Sequence, residues 1–238
     1  VLALLFLIMK LKMHAFVALV LVSLITALAT KIPFGKVVPT LLDGFGTTLA
    51  SVALLVGLGA MIGRLLEVSG GAEVLAGTLI RRFGEERAPL ALGIASLLFG
   101  FPIFFDAGLV VMLPIIFSVA RRLGGSVLLY AFPAAGAFAV MHAFVPPHPG
   151  PVAAGELLGA DLGLLLIVGL LIAIPTWFIG GYLFGTFTGR RLDLPVPDSL
   201  GSEEDGRHDG PLPSFGTVLF ILLLPLVLIF LDTGLNPE

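Results

Sequence analysis

The sequence contains no cysteine, which excludes disulfides, thiolate metal sites and cysteine nucleophiles. Charge is scarce as well. Asp, Glu, Lys and Arg make up 12% of the 238 residues, against about a quarter in an ordinary soluble domain. The net charge of −3 offers no basic surface for nucleic acid. Apolar residues fill the space instead, at 58% of the chain and a mean hydropathy of +1.11. That composition belongs to a membrane protein, with the lipid bilayer as its first partner.

The first apolar run, residues 1–9, is half a span, and the chain closes just past another apolar run, at Leu235-Asn236-Pro237-Glu238. These ends suggest a piece of a longer protein. No small-residue cleavage site follows residues 1–9, so a signal peptide is disfavoured. Lys10 and Lys12 end the run, residues 14–30 read as a compact span and residues 31–36 as a turn. Residues 44–63 are uncharged over a crossing length and are closed by Arg64 and Glu67. Together, residues 1–66 form an expected scaffold-type set of transmembrane helices. Ser69-Gly70-Gly71 then opens an amphipathic segment, 67–87, expected on the cytoplasmic face.

Residues 88–120 hold one charge, Asp106, and are interrupted at Gly100-Phe101-Pro102-Ile103-Phe104-Phe105-Asp106. Two crossings would need roughly forty residues plus a turn, so thirty-three residues are too few for two crossings and too many for one. A re-entrant helical hairpin over 88–122 fits. It also sorts the charges. Lys10, Lys12, Arg64, Arg81, Arg82, Arg87, Arg121, Arg122, Arg190, Arg191 and Arg207 fall on one face. Only Lys31 and Lys36 fall on the other, as the positive-inside rule requires of the cytoplasmic side.

The run from Leu123 to Gly155 is uncharged but carries prolines at 146, 147, 149 and 151 around His148, with His142 just before them. Four prolines in six positions cannot sit in one continuous helix. The expectation is a broken transmembrane helix over 126–160, with irregular backbone that is buried in protein or lines a wet cavity. Residues 162–189 read as a returning span, 190–213 as a polar, proline-bearing cytoplasmic tether, and 214–232 as a further span. The proline-histidine stretch has no second copy in the chain.

Few ionisable groups remain at membrane depth: Asp106, His142 and His148, with Glu156 and Asp161 toward the outer end. No Lys or Arg lies within a span, so an anionic solute must be held by helix N-termini, hydroxyls and protonated histidine. Two N-termini can be located, one where a helix restarts near Asp106, the other after Gly150 with Pro151 in the first turn. Asp106 reads either as a cap or as a functional carboxylate, and the two roles can coexist. His142 reads either as a backbone-bonded neighbour or as a site residue, and His148, inside the break, is the stronger site candidate. Phe101, Phe104 and Phe105 read as packing more than recognition. Gly57, Gly59 and Gly63 form a small-residue packing face rather than a dinucleotide loop. Histidines and aspartates are too scattered for a metal site.

The runs MHAFVPPHPGPVAA (141–154), GFPIFFDAGLVVMLPI (100–115) and GLGAMIGRLLEVSGGAE (57–73) resemble the gluconate permease (GntP) family of proton-coupled sugar-acid transporters. The resemblance runs along the whole chain, in order, and implies the N-terminal half of a longer protein. It implies two inverted repeats, each giving a hairpin and a broken helix to a transport domain that moves like an elevator beside a scaffold. The expected fold is therefore an all-α polytopic membrane protein. It comprises one inverted-repeat half with a re-entrant helical hairpin and a broken transmembrane helix, plus the first helix of the second repeat. The resemblance puts substrate at the hairpin tip and the break: Gly100, Phe101, Pro102, Phe105, Asp106, His142, His148 and Gly150. Asp106 and His148 are the proton-coupling candidates.

The function expected is proton symport of gluconate or a related sugar acid across the bacterial inner membrane, by a multi-pass protein needing no cofactor. Homo-oligomerisation stays open. A rival is another carboxylate or D-serine carrier of the same superfamily, coupled to sodium. An intramembrane enzyme would need a paired carboxylate, a metal cluster or an activated nucleophile at depth, and the sequence offers little of these. A purely structural subunit would keep its helices intact.

Overall fold

The structure is a computed structural model that describes residues 1–197 and 210–235, and every regular element among them is helical. It divides into two compact units, Val1–Ala53 and Leu54–Glu238.

In the first unit, α1 (Leu2–Leu5) continues into a π-helical turn, Phe6–Lys10. Lys12, at φ 51°, turns the chain, and α2 (Ala15–Ala29) follows. His14 caps α2, its Nδ1 accepting from Phe16 N at 3.3 Å. The helix α3 (Phe34–Val68) supplies its first half to this unit. Here the expected turn at 31–36 is found over its first residues, with Lys31 at φ 62°, but α3 begins at Phe34 and absorbs the expected span at 44–63 into one longer helix. Searching for uncharged residues puts boundaries where charges begin, yet Asp43, Arg64 and Glu67 all lie on helical turns. Arg64 and Glu67 pair one turn apart. Pro39 sits in the second turn, where it removes a single backbone bond. Phe16, Val17, Leu19 and Ile25 of α2, and Phe34, Leu42 and Phe45 of α3, point outward, as in helices solvated by lipid.

The second unit opens with α4 (Gly71–Phe83), launched from Gly70 at φ 73°. Ala72, Leu75, Ala76, Leu79 and Ile80 are its buried positions, at the three- and four-residue spacing of an amphipathic helix. Arg81 and Arg82 end it, where the helix dipole favours cations. A short 3₁₀ turn (Glu85–Arg87) leads to α5 (Ala88–Phe99), then α6 (Phe105–Leu123), α7 (Val127–Phe144) and α8 (Pro149–Leu158). Asp161 caps α9 (Leu162–Thr176), its Oδ1 accepting from Leu164 N at 2.6 Å. A π-helical stretch, Trp177–Leu183, carries on into α10 (Phe184–Arg191), and α11 (Phe215–Leu235) closes the described chain.

The core is built around α7, which packs against α5, α6, α9, α10 and the π-helical stretch. Small residues let those backbones approach. A Cβ on Gly136 would lie 2.7 Å from the Cα of Gly181, and the Trp177 ring covers Gly93. Trp177 Nε1 donates to the Pro133 carbonyl at 2.9 Å. The π-helical widening just past Pro175 has no hydropathy signature, because apolar counting is blind to the width of a turn.

Part of the expected tether behaves otherwise. Leu194 N donates to Ser126 Oγ at 3.2 Å, and Leu194 O accepts from Val127 N at 2.9 Å. The first N–H groups of a helix need acceptors from outside it, so α7 pins this segment. The central tether residues, 198–209, lie outside the described residues. By length and composition, Val127–Leu158 and Leu162–Arg191 can each cross a bilayer.

Candidate functional site

The helix α5 stops at Gly100, whose N–H donates to Ser96 O at 2.8 Å. Pro102 follows, and proline biases its predecessor away from helical geometry. The chain recovers at Phe104, an extended N-cap at ψ 148° that offers no side-chain cap, and α6 starts. On the other arm α7 ends at Phe144. Val145 is extended, the Pro146-Pro147 bond is cis, and His148 is the extended N-cap of α8.

These two interruptions meet. His148 is only 2% exposed, and its Nε2 lies 2.8 Å from the Gly100 carbonyl oxygen. A carbonyl can only accept, so Nε2 carries the proton in this bond. The His142 ring lies 4.8 Å from that of His148, centre to centre, and Phe104 sits against both at 5.8 and 6.0 Å. One turn below His142, the Phe138 ring meets Phe99 edge-on at 6.4 Å. Gly100 and Gly108 both face Phe138. A Cβ on Gly100 would fall 2.7 Å from its Cδ1.

Of the expected site residues, Gly100, Phe101, Pro102 and His148 are buried, while Phe105 and His142 are half-buried. Asp106 and Gly150 are exposed. Asp106 is not a cap. The N-cap of α6 is Phe104, and Asp106 lies two residues further on, in the first turn. The second expected N-terminus also needs correction. The helix α8 begins at Pro149 rather than after Gly150, so Pro149 and Pro151 occupy its first and third positions. Neither has an N–H. The His148 N–H is taken by Val145 O, and Val152 N by His148 O. Only the Gly150 N–H remains at that end. At α6 the Phe105, Asp106 and Ala107 N–H groups precede the first intrahelical bond, Gly108 N to Phe104 O at 2.8 Å.

Sequence reasoning missed Phe138, which supports the tip, and the partner of the glycine face on α3. A Cβ on Gly59 would sit 3.0 Å from Pro102 O, and one on Gly63 would sit 2.8 Å from Ile103 Cγ1, so the hairpin tip rests on those glycines. Their four-residue spacing was the visible signal, but nothing in the sequence named the tip as what it receives. Two buried polar atoms near these elements, Ser96 Oγ and His142 Nδ1, make no hydrogen bond among the described residues. No three His, Asp or Glu side chains gather as metal ligands among the described residues.

An all-helical fold, two helical stretches of crossing length and outward apolar faces fit a membrane protein. The family model described as GntP family permease matches residues 1–237, and the chain belongs to that family. It is 41% identical over 238 residues to the gluconate permease of Bacillus subtilis, a match covering 98% of this chain and 53% of the relative. It is 39% identical over 233 residues to the low-affinity gluconate transporter of Escherichia coli K12, covering 98% and 52%. The inner membrane permease YgbN of the same organism is 47% identical over 196 residues, covering 82% and 43%. The chain thus spans about half the length of the curated relatives it matches. These relatives are named as permeases or transporters, which are not enzymes. No solved structure matches the chain.

Proposed function

We propose that this chain forms one half of a secondary active transporter. It carries gluconate or a related sugar acid with protons across the bacterial inner membrane, in a multi-pass, elevator-type protein. The observation that carries the reading is the bond from His148 to the Gly100 carbonyl, which ties the helix break to the hairpin tip. Two gaps in apolar helices that abut one another are the usual setting for a solute site at membrane depth.

Two observations support re-entry of the hairpin. Arg122 Nη2 lies 3.5 Å from Glu85 Oε1, so the start of one arm adjoins the end of the other. The 12 residues of α5 rise about 18 Å, short of the ~30 Å hydrocarbon layer. The names of the relatives support a sugar acid as solute.

In this reading the solute carboxylate meets the three N–H groups that open α6. Asp106 lies in that same turn, where its negative charge competes with an anion for the positive end of the helix. Protonation of Asp106 removes the competition, so proton and anion occupy the site together, and His148 is the second proton candidate. Uptake of labelled gluconate into vesicles under an imposed pH gradient tests this. Retention of proton-driven accumulation by both Asp106→Asn and His148→Ala would overturn the assignment. Accumulation driven by sodium alone would replace the coupling ion.

A further inference from the structure

We infer that His148, the second proton candidate above, is instead a positioning residue, a strap from the helix break to the hairpin tip through the Gly100 carbonyl, which leaves Asp106 as the coupling group, and that His142 is the imidazole left to meet the solute. The roles of Asp106 and His142 rest on the transport reading above; the strap does not.

The strap follows from what three polar atoms of His148 already do. Its N–H donates to Val145 O at 3.2 Å, its carbonyl accepts from Val152 N at 3.2 Å, and its Nε2 donates to Gly100 O at 2.8 Å. Prolines on both sides hold its backbone. Gly100 O in turn belongs to the last carbonyls of α5, which the helix leaves without partners. A solute that took over Nε2 would orphan that carbonyl and release the tip. His142 differs in each respect. It lies in the last turn of α7, is half-buried, and its Nδ1 is shielded without a hydrogen bond. A buried nitrogen in that state gains from a ligand able to pair with it. A polyhydroxylated acid brings hydroxyl donors of that kind. The Phe104 ring, against both imidazoles, gives this corner one apolar wall.

The test uses the transporter that carries this chain, with two independent readouts. The first is backbone hydrogen exchange over residues 98–108 in detergent. The second is the kinetics of gluconate uptake in vesicles. His148→Ala is expected to speed exchange at the tip about tenfold, the effect of leaving one buried carbonyl unpaired, and to lower the maximal rate. His148→Gln keeps an amide N–H within reach of Gly100 O and is expected to restore both. His142→Phe is expected to leave exchange unchanged and to raise KM about tenfold through one lost hydrogen bond.

Unchanged exchange in His148→Ala overturns the strap. Wild-type exchange with abolished uptake in His148→Gln makes His148 a chemical participant instead. An unchanged KM in His142→Phe removes it from the solute. If the unmutated protein takes up no gluconate, the transport reading falls, while the exchange measurements still decide the strap.

Discussion

At Phe105 a helix restarts with three backbone N–H groups unpaired among the described residues and an exposed carboxylate in its first turn. At Pro149, beside it, another restarts with a single free N–H, two prolines and a buried imidazole already committed to a carbonyl. Both are proline-bearing gaps in apolar runs, and by helix-dipole reasoning alone both would attract anions. The contrast teaches that a helix end recognises an anion only through the N–H groups it still possesses. In the proposed site the tip is the polar side, and the break is the corner that supports it.

Several substitutions press on this contrast. The largest effect is expected from Asp106→Asn, which should cut proton-driven accumulation by about a hundredfold or more, the scale of losing a proton-transferring group. It should leave solute exchange without a gradient measurable in a counterflow assay. Equal loss of exchange would make Asp106 part of binding rather than coupling. Next come the glycines. Gly108→Ala drives a Cβ into the Phe138 ring, whereas nothing lies within 4 Å of a Cβ on Gly150. Thermal unfolding in detergent should show about 1–3 kcal/mol lost by Gly108→Ala and less than about 0.5 kcal/mol changed by Gly150→Ala.

Pro151→Ala adds an N–H to the break side. With the carboxylate held at α6, KM for gluconate should stay within about twofold, the low end of a helix-dipole contribution. A fall of about fivefold or more would move the carboxylate to α8. The smallest effect belongs to Glu85→Gln. The pair with Arg122 has side chains 64% and 59% exposed, so solvent screening holds its contribution to about 0–1 kcal/mol by chemical denaturation.

Much of this architecture is legible in the residues. Pro102, Pro146 and Pro147 announce where helices stop, and Pro149 and Pro151 open the next one, because proline lacks the donor a helix interior needs and a first turn does not. The small residues of α7, α4's apolar spacing and Gly70 mark packing faces and a turn by local rules alone. Other features depend on what lies across space. Nothing local to His148 names Gly100, 48 residues away, as its partner. Nothing in the 31–36 turn signals tells that α3 runs on past Asp43, Arg64 and Glu67. The number of free amides at α8 hangs on whether the helix starts at Pro149 or Pro151, a two-residue difference within the ordinary uncertainty of a helix boundary read from sequence. That small difference changes the chemistry of the site.

The claim on which the rest depends is that the hairpin returns to the face it leaves. The chain has no cysteine of its own, so, with any cysteine in the rest of the transporter replaced, Glu86→Cys and Arg122→Cys each introduce a single thiol, one at either base of the hairpin. A membrane-impermeant maleimide applied to oriented vesicles should label both from the cytoplasmic side and neither from the other. Labelling of the two from opposite sides would mean that the segment crosses the membrane outright, and would contradict the account.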